Sequence, residues 1–265
     1  MPDAQSGYDK VIEYIFMSHY EPGIMKFSFD RTEIADAANA CGVQVPLNLG
    51  DVLYSFRHRR PLPQQILDTA PGQHWVIEND GRRGRYRFAI RNVLEVIPNP
   101  LAAITRIPDA TPGIIKMHAK GDEQALLARL RYNRLLDIFT GIACYSLQSH
   151  LRTTVSGSQI ETDEVYVGMS QSGAHYVLPV QAKGGTDRMG IVQIEQDFAL
   201  CEQRFPDLIA RPIGAQFMGD EVIALFGFGL EDGQVTVLEE KHYKLVPSDE
   251  LTPSDLAMYR RLSQP

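Results

Sequence analysis

Two neighbouring segments carry residues whose types and spacing could do chemistry. In Glu161-Thr162-Asp163-Glu164, read as a strand, side chains alternate, so Glu161 and Asp163 share one face while Thr162 and Glu164 share the other. In HYVLPVQAK, Gln181 and Lys183 likewise share a face. A hairpin joining the segments would set one or two carboxylates, an amide oxygen and an ammonium group together at a sheet edge, just before a helix. Such a set suits metal-assisted phosphodiester hydrolysis. Mg2+ takes oxygen ligands, which Asp163, Gln181 and Glu161 can supply. The ion polarises the phosphate and lowers the pKa of a bound water. Lys183 can hold that water or neutralise the charge that builds on phosphorus. The plainer reading makes Glu161 and Asp163 a solvated edge strand and Lys183 a charge guarding it. Against that, Gln181 sits in an otherwise apolar strand, where a buried polar residue wants a reason.

The elements that must position these residues can be read on both sides. Asp122 can cap a long helix running to about Leu151, with an apolar stripe at Leu135, Ile138, Phe139 and Ile142. SQIETDEVYVG reads as a strand, MSQSG as a turn and AHYVLPVQAK as a second strand. Gly184-Gly185 is a strand-to-helix turn. Thr186 and Asp187 can cap a helix with Ile191, Ile194, Phe198, Cys201 and Phe205 on its apolar face. LIARPIGAQF, EVIALFGFG and QVTVLEEKHYKLV follow as strands, the last two joined by a Glu231-Asp232-Gly233 turn. This order predicts an α/β fold, a mixed sheet flanked by helices, over 114–265.

ETDEVYVG, the Gly-containing turn, HYVLPVQAKGG and the helix RMGIVQIEQDF resemble the core of the PD-(D/E)xK, or restriction-endonuclease-like, nucleases. The resemblance covers about residues 120 to 217. It implies the family fold and Mg2+-dependent DNA cleavage. It places the family's acid on Asp163, with Glu161 competing, and its second motif on Gln181-Ala182-Lys183. Gln181 stands where the usual pattern has Asp or Glu, and a neutral amide binds Mg2+ less strongly than a carboxylate. Gln193 resembles a glutamine that some members place near the site, although a helix-surface or packing role is the simpler account.

The preceding half has a different character. Residues 98–113, PNPLAAITRIPDATPG, carry four prolines and read as an irregular connector after a first domain over 1–97. Tyr8 to His19 has a helical stripe at Val11, Ile12, Ile15 and Phe16. Asp30-Arg-Thr-Glu33 is a capping box for a second helix ending near Cys41-Gly42. Asn48 can cap a third, LGDVLYSFRHRR, stopped by Pro61. HWVIE, the turn NDGRRG and RYRFAI make a hairpin. Three helices and a hairpin are the layout of a winged helix. From Ser55 to Arg91 the chain carries eight arginines against three acids. Arginine forks onto phosphates and guanine edges. Arg57, Arg59 and Arg60 at the helix end, and Arg82, Arg83 and Arg85 on the hairpin, are the expected contacts to double-stranded DNA. The plainer reading is a solvated helix end and turn.

Composition bounds these readings. The 265 residues are 44% hydrophobic, which permits a real core, and the net charge of −7 argues against a chain coated in positive charge. Cys41, Cys144 and Cys201 lie far apart without a CxxC, so neither a disulfide framework nor a zinc knuckle is expected. The seven histidines show no HxH or HExxH spacing, and no Gly-rich nucleotide loop is present. No basic-then-apolar leader opens the chain, and no apolar run is long enough to span a bilayer. The expectation is a cytoplasmic, sequence-directed endonuclease with no membrane partner, acting as a two-fold dimer if its target is palindromic. The alternatives are a non-catalytic DNA-binding or regulatory protein on a decayed nuclease fold, and an interaction module without nucleic acid.

Overall fold

The computed structural model describes residues 7–44, 48–58, 60–82, 84–91, 94–118, 123–155, 158–184, 187–231 and 233–262. The chain divides into two compact units, residues 1–94 with 154–159, and 95–153 with 160–265.

In the first unit the elements run α1 (Gly7–His19), β1 (Lys26–Asp30), α2 (Glu33–Ala40), α3 (Gly50–His58), α4 (Gln64–Leu67), β2 (His74–Asn79) and β3 (Arg85–Arg91). The three expected helices and the hairpin are present. The Asp30/Glu33 pair makes the reach-back half of its box, Asp30 N–H donating to Glu33 Oε1 at 2.7 Å. Asn48 Oδ1 accepts from Gly50 N–H at 3.1 Å, as a capping residue should. Strand β1 and helix α4 were not expected. KFSFD alternates, but its five residues are short for a periodicity signal. It pairs antiparallel with β3, giving the sheet order β1-β3-β2. Phe88 is fully buried at the centre, with Phe16, Phe27 and Phe29 ring centroids 5.0–5.2 Å away. Burying one such ring is worth roughly 1.5–3 kcal/mol.

The second unit is mixed α/β, a large mixed sheet flanked by helices. Its elements are β4 (Glu95–Val96), β5 (Ile104–Pro108), α5 (Gly113–His118), α6 (Glu123–Tyr132), α7 (Leu135–Thr140), β6 (Ala143–Val155), β7 (Ser158–Met169), β8 (His175–Lys183), β9 (Met189–Gly190), α8 (Ile191–Arg204), β10 (Ile209–Ala210), β11 (Ile213–Phe217), β12 (Val222–Glu231), β13 (Gln234–Val246) and α9 (Pro253–Leu262). The sheet order is β5-β13-β12-β11-β8-β7-β6, with β10 also on β8. Pairs β5/β13 and β8/β11 are parallel, while β7/β8, β11/β12 and β12/β13 are antiparallel. Helices α6 and α7 bury Leu126, Leu130 and Leu136 with Leu178, Val180 and Ala182 of β8. Helix α8 buries Ile191 and Ile194 with Ala224, Phe226 and Phe228 of β12. The sheet therefore has a helical layer on each face.

Three sequence expectations need correction. The long helix to Leu151 is two short helices and a strand. Arg134 sits in the left-handed region at φ 49° and Gly141 at φ 68°, so the chain turns twice, and the 13-residue β6 follows. Asp122, its expected cap, lies outside the described residues. Residues 104–108 of the irregular connector form β5, because Ile104 and Ile107 suit a strand and β13 offers an edge. The helix expected from Thr186-Asp187 starts at Ile191 instead, since Met189–Gly190 first pair with Glu95–Val96. Thr186 lies outside the described residues, as does Asp232 of the β12–β13 turn. The buried Met189 side chain packs against Gly214, where a Cβ would collide with its sulfur and methyl.

Candidate active site

The β7–β8 pairing runs from Glu164↔Val180 to Met169↔His175. Around Val180 to Lys183, side chains enter the ladder. Ala182 N–H donates to Asp163 Oδ2 at 2.8 Å, which fixes the Asp163 carboxylate against the end of β8. The Gln181 amide Nε2 donates to the Glu161 carbonyl at 3.2 Å. The expected alternation along β7 also breaks here. Thr162 Oγ donates to Asp197 on α8 at 2.6 Å, whereas Glu164 pairs with Arg131 on α6 at 2.7 Å. These helices cover opposite faces, so Thr162 and Glu164 part company. Residues two apart share a face only while the pleat is regular, and the carboxylate inserted at Ala182 marks where it is not.

Asp163, Gln181 and Lys183 lie at the same end of the strand pair, their side chains bonded respectively to the Ala182 N–H, to Asp197 and to Glu123, and Glu161 joins them only through its backbone. The Glu161 carboxylate is 44% exposed and pairs with Arg152 at 3.0 Å, the solvated-edge arrangement. Lys183 Nζ, largely buried, lies 3.3 Å from Glu123 Oε1 in the first turn of α6. Gln181 is buried, and its amide nitrogen also faces both oxygens of Asp197, at 3.0 and 3.3 Å. Gln193 takes none of these positions in the hydrogen bonding described.

Sequence reasoning missed Asp197 and Glu123. Asp197 had a signal: it stands three residues after Ile194 and four before Cys201, on the stripe that α8 buries, where an acid is out of place. Glu123 had none beyond its place at a helix start. Asp197 is 1% exposed. Burial pushes its carboxyl up to about 7; donation from Thr162 and Gln181 opposes the rise, the Asp163 charge adds to it, and Lys183 opposes it. The acid's ordinary value is 3.8, so folding favours its protonated form, and the stability this gives is full below about pH 4 and lost as pH rises through about 7. In EDTA, Asp197→Asn should therefore raise the melting temperature relative to wild type at pH 8 and leave it nearly unchanged at pH 4. Thermal scans at the two pH values check this, and an equal difference at both would contradict it.

No family model, curated protein or solved structure matches the chain. Among the described residues, no group of three or more His, Cys, Asp or Glu side chains could hold a metal ion by itself. No helix among them is long and apolar enough to cross a membrane.

The arginines of the first unit are placed as follows. Arg60 pairs with Asp9 at 3.0 Å and lies over the Phe56 ring at 4.3 Å. Arg85 pairs with Asp80 at 2.9 Å. Arg87 pairs with Glu78 and, at 3.5 Å, with Asp80; Arg91 pairs with Glu78 at 2.6 Å. Arg57 is largely buried, and that burial pulls its pKa down. Arg82 is exposed in the hairpin turn. Arg59 and Arg83 lie outside the described residues. Most of the described arginines thus pair with their own unit's acids, which neither the DNA-contact reading nor that of a solvated helix end and turn foresaw.

Proposed function

We propose that the protein is a Mg2+-dependent endodeoxyribonuclease whose second unit has the restriction-endonuclease-like fold. The observation that carries this is the placement of Asp163, Gln181 and Lys183 at one end of β7 and β8, the Asp163 carboxylate bonded to the N–H of Ala182 between the other two, on a hairpin flanked by α6–α7 and α8. The donor set fits a hard cation. Mg2+ commonly needs only one or two protein carboxylates, keeping waters in its other positions. Asp163 would hold it, with Gln181 as an oxygen donor, and a bound ion supplies Lewis-acid polarisation of the phosphate and a more acidic water. The chain's own residues do the rest. The Ala182 N–H orients Asp163, and the Lys183 ammonium offsets the negative charge gathered on the phosphate as a water oxygen bonds to phosphorus and one P–O ester bond breaks. The leaving oxygen takes up a proton, so the products are a phosphate end and an alcohol end. Glu161, exposed and paired with Arg152, contributes less than Asp163.

The test is incubation of the full chain with plasmid DNA in Mg2+ or EDTA. Wild type should nick or cut only with the metal. Asp163→Asn should abolish cutting, and Glu161→Gln should do less. Duplex binding without metal-dependent cutting by wild type would leave the non-catalytic DNA-binding reading, and neither activity would leave an interaction module.

The first unit, with its three helices, hairpin and arginine-bearing turn, would supply the winged-helix-like grip on double-stranded DNA. Arg82 is the side chain best exposed for phosphate contact. Arg82→Ala should weaken duplex binding across sequences and flatten its salt dependence, because each lost phosphate contact removes about one released counterion. Gel shifts over a salt series read this, and an unchanged slope would remove Arg82 from the interface. A palindromic target would call for a two-fold dimer.

A further inference from the structure

Asp197 is an acid where none is expected, on the buried stripe of α8 and behind the residues already described. Its two oxygens accept from Thr162 Oγ at 2.6 Å and from Gln181 Nε2 at 3.0 and 3.3 Å. The same Gln181 nitrogen also donates to the Glu161 carbonyl at 3.2 Å. An amide has a donor end and an acceptor end, and all three contacts take the donor end. The opposite orientation would turn the amide oxygen toward the Glu161 carbonyl, an acceptor with no proton to give at any pH. A backbone carbonyl accepts only, so this contact assigns the amide one way round, and the nitrogen faces Asp197 as well.

We propose that Asp197 is a positioning residue, which holds the Gln181 amide by its nitrogen and so makes the amide oxygen the atom that Gln181 offers to a hard divalent cation at Asp163. The role rests on the cation-site reading above and adds a residue to it. Thr162 completes the clamp, because its hydroxyl holds the carboxylate oxygen that Gln181 shares. The clamp compensates for the neutral residue at 181: a free amide would offer either end, whereas a held one offers only oxygen. Partners that orient metal ligands commonly carry 10- to 100-fold in metal affinity.

The experiment is a calorimetric Mn2+ titration of the full chain, beside NMR spectra of chain labelled with 15N-glutamine. In Asp197→Asn the Gln181 amide faces one neutral acceptor oxygen in place of two that share a charge, so it is held less tightly. Mn2+ affinity should fall about 10-fold or more, and the Gln181 side-chain N–H signals should move toward free-amide positions and lose protection from exchange. The double variant Asp197→Asn with Gln181→Glu reverses the polarity of the bond, the new amide donating to the new carboxylate. It should recover at least the wild-type affinity, which repacking alone does not predict. Thr162→Val, which keeps the shape of that side chain, should loosen the same signals by a smaller amount. Unchanged Gln181 signals in folded Asp197→Asn would overturn the clamp, whether or not Mn2+ binds. Failure of wild type to bind Mn2+, with the signals shifting as expected, would overturn the cation at Asp163 and leave the clamp standing.

Discussion

Lys183→Ala should lower Mg2+-dependent DNA cleavage by on the order of 100-fold or more, the usual cost of removing one preorganised electrostatic donor from a reacting oxyanion. Lys183 ends β8, two residues after Gln181, and its ammonium group is largely buried beside Glu123. A buried cation holds its place without reorganising during the reaction, and in a site shielded from water it acts more strongly than a surface lysine. The Glu123 carboxylate is 37% exposed, so it steadies the ammonium without enclosing it. Loss of the side chain should therefore lower kcat and leave duplex binding near the wild-type level, since the proposed DNA grip lies in the other unit. Single-turnover cleavage beside gel shifts separates the two effects. Full cleavage by a folded Lys183→Ala variant would remove this site from the chemistry.

The sheet of the second unit was legible because its strands are long, rich in β-formers and set off by Gly-containing turns; QVTVLEEKHYKLV spans the same residues as β13. The short elements were not. β5 ends on Pro108 in a proline-rich stretch that masks the strand character of Ile104 and Ile107, and the parallel partner that β13 offers is a tertiary fact with no local trace. β6 was read as helix because Leu135, Ile138, Phe139 and Ile142 do make a helical stripe, and nothing in that stripe announces that Gly141 stops it. The candidate site was legible in its residue types and only partly in its geometry. Alternation expected Gln181 and Lys183 on one face beside Asp163; the Asp163 carboxylate binds the N–H of Ala182 between them, while Gln181 bonds Asp197 of α8 and Lys183 pairs with Glu123 of α6. It failed at Thr162 and Glu164, because a carboxylate that binds the neighbouring strand's N–H interrupts the pleat on which alternation depends. Asp197 and Glu123 come from helices more than a dozen residues away in sequence, and no spacing rule on the strands could find them.

The failure at Glu164 carries the second large effect. Glu164 is fully buried on the α6 face of the sheet. One of its oxygens accepts from Arg131 at 2.7 Å and from Ser146 Oγ, and the Tyr166 hydroxyl lies against the carboxylate. Tyr166, two residues along, has its hydroxyl pKa pushed up by burial and by the Glu164 charge. Among the described residues, the counter-charge in contact with this carboxylate is the Arg131 guanidinium. Arg131→Ala would leave it buried without a counter-charge, which costs about 3–5 kcal/mol in such pairs. Because the Arg131 side chain is 46% exposed, the lower end of about 3 kcal/mol is expected here. Glu164→Gln alone removes the charge with the shape kept and should cost less. Added to Arg131→Ala, it should restore part of the loss, since no ion is then left stranded. Urea titrations of the four proteins give this cycle, and additive losses would show that the pair does not act as one. The consequence reaches the candidate site through α6, which carries Arg131 near its end and Glu123 at its start. A loosened α6 should also free the Lys183 ammonium, so Arg131→Ala should lower cleavage at temperatures well below its own unfolding.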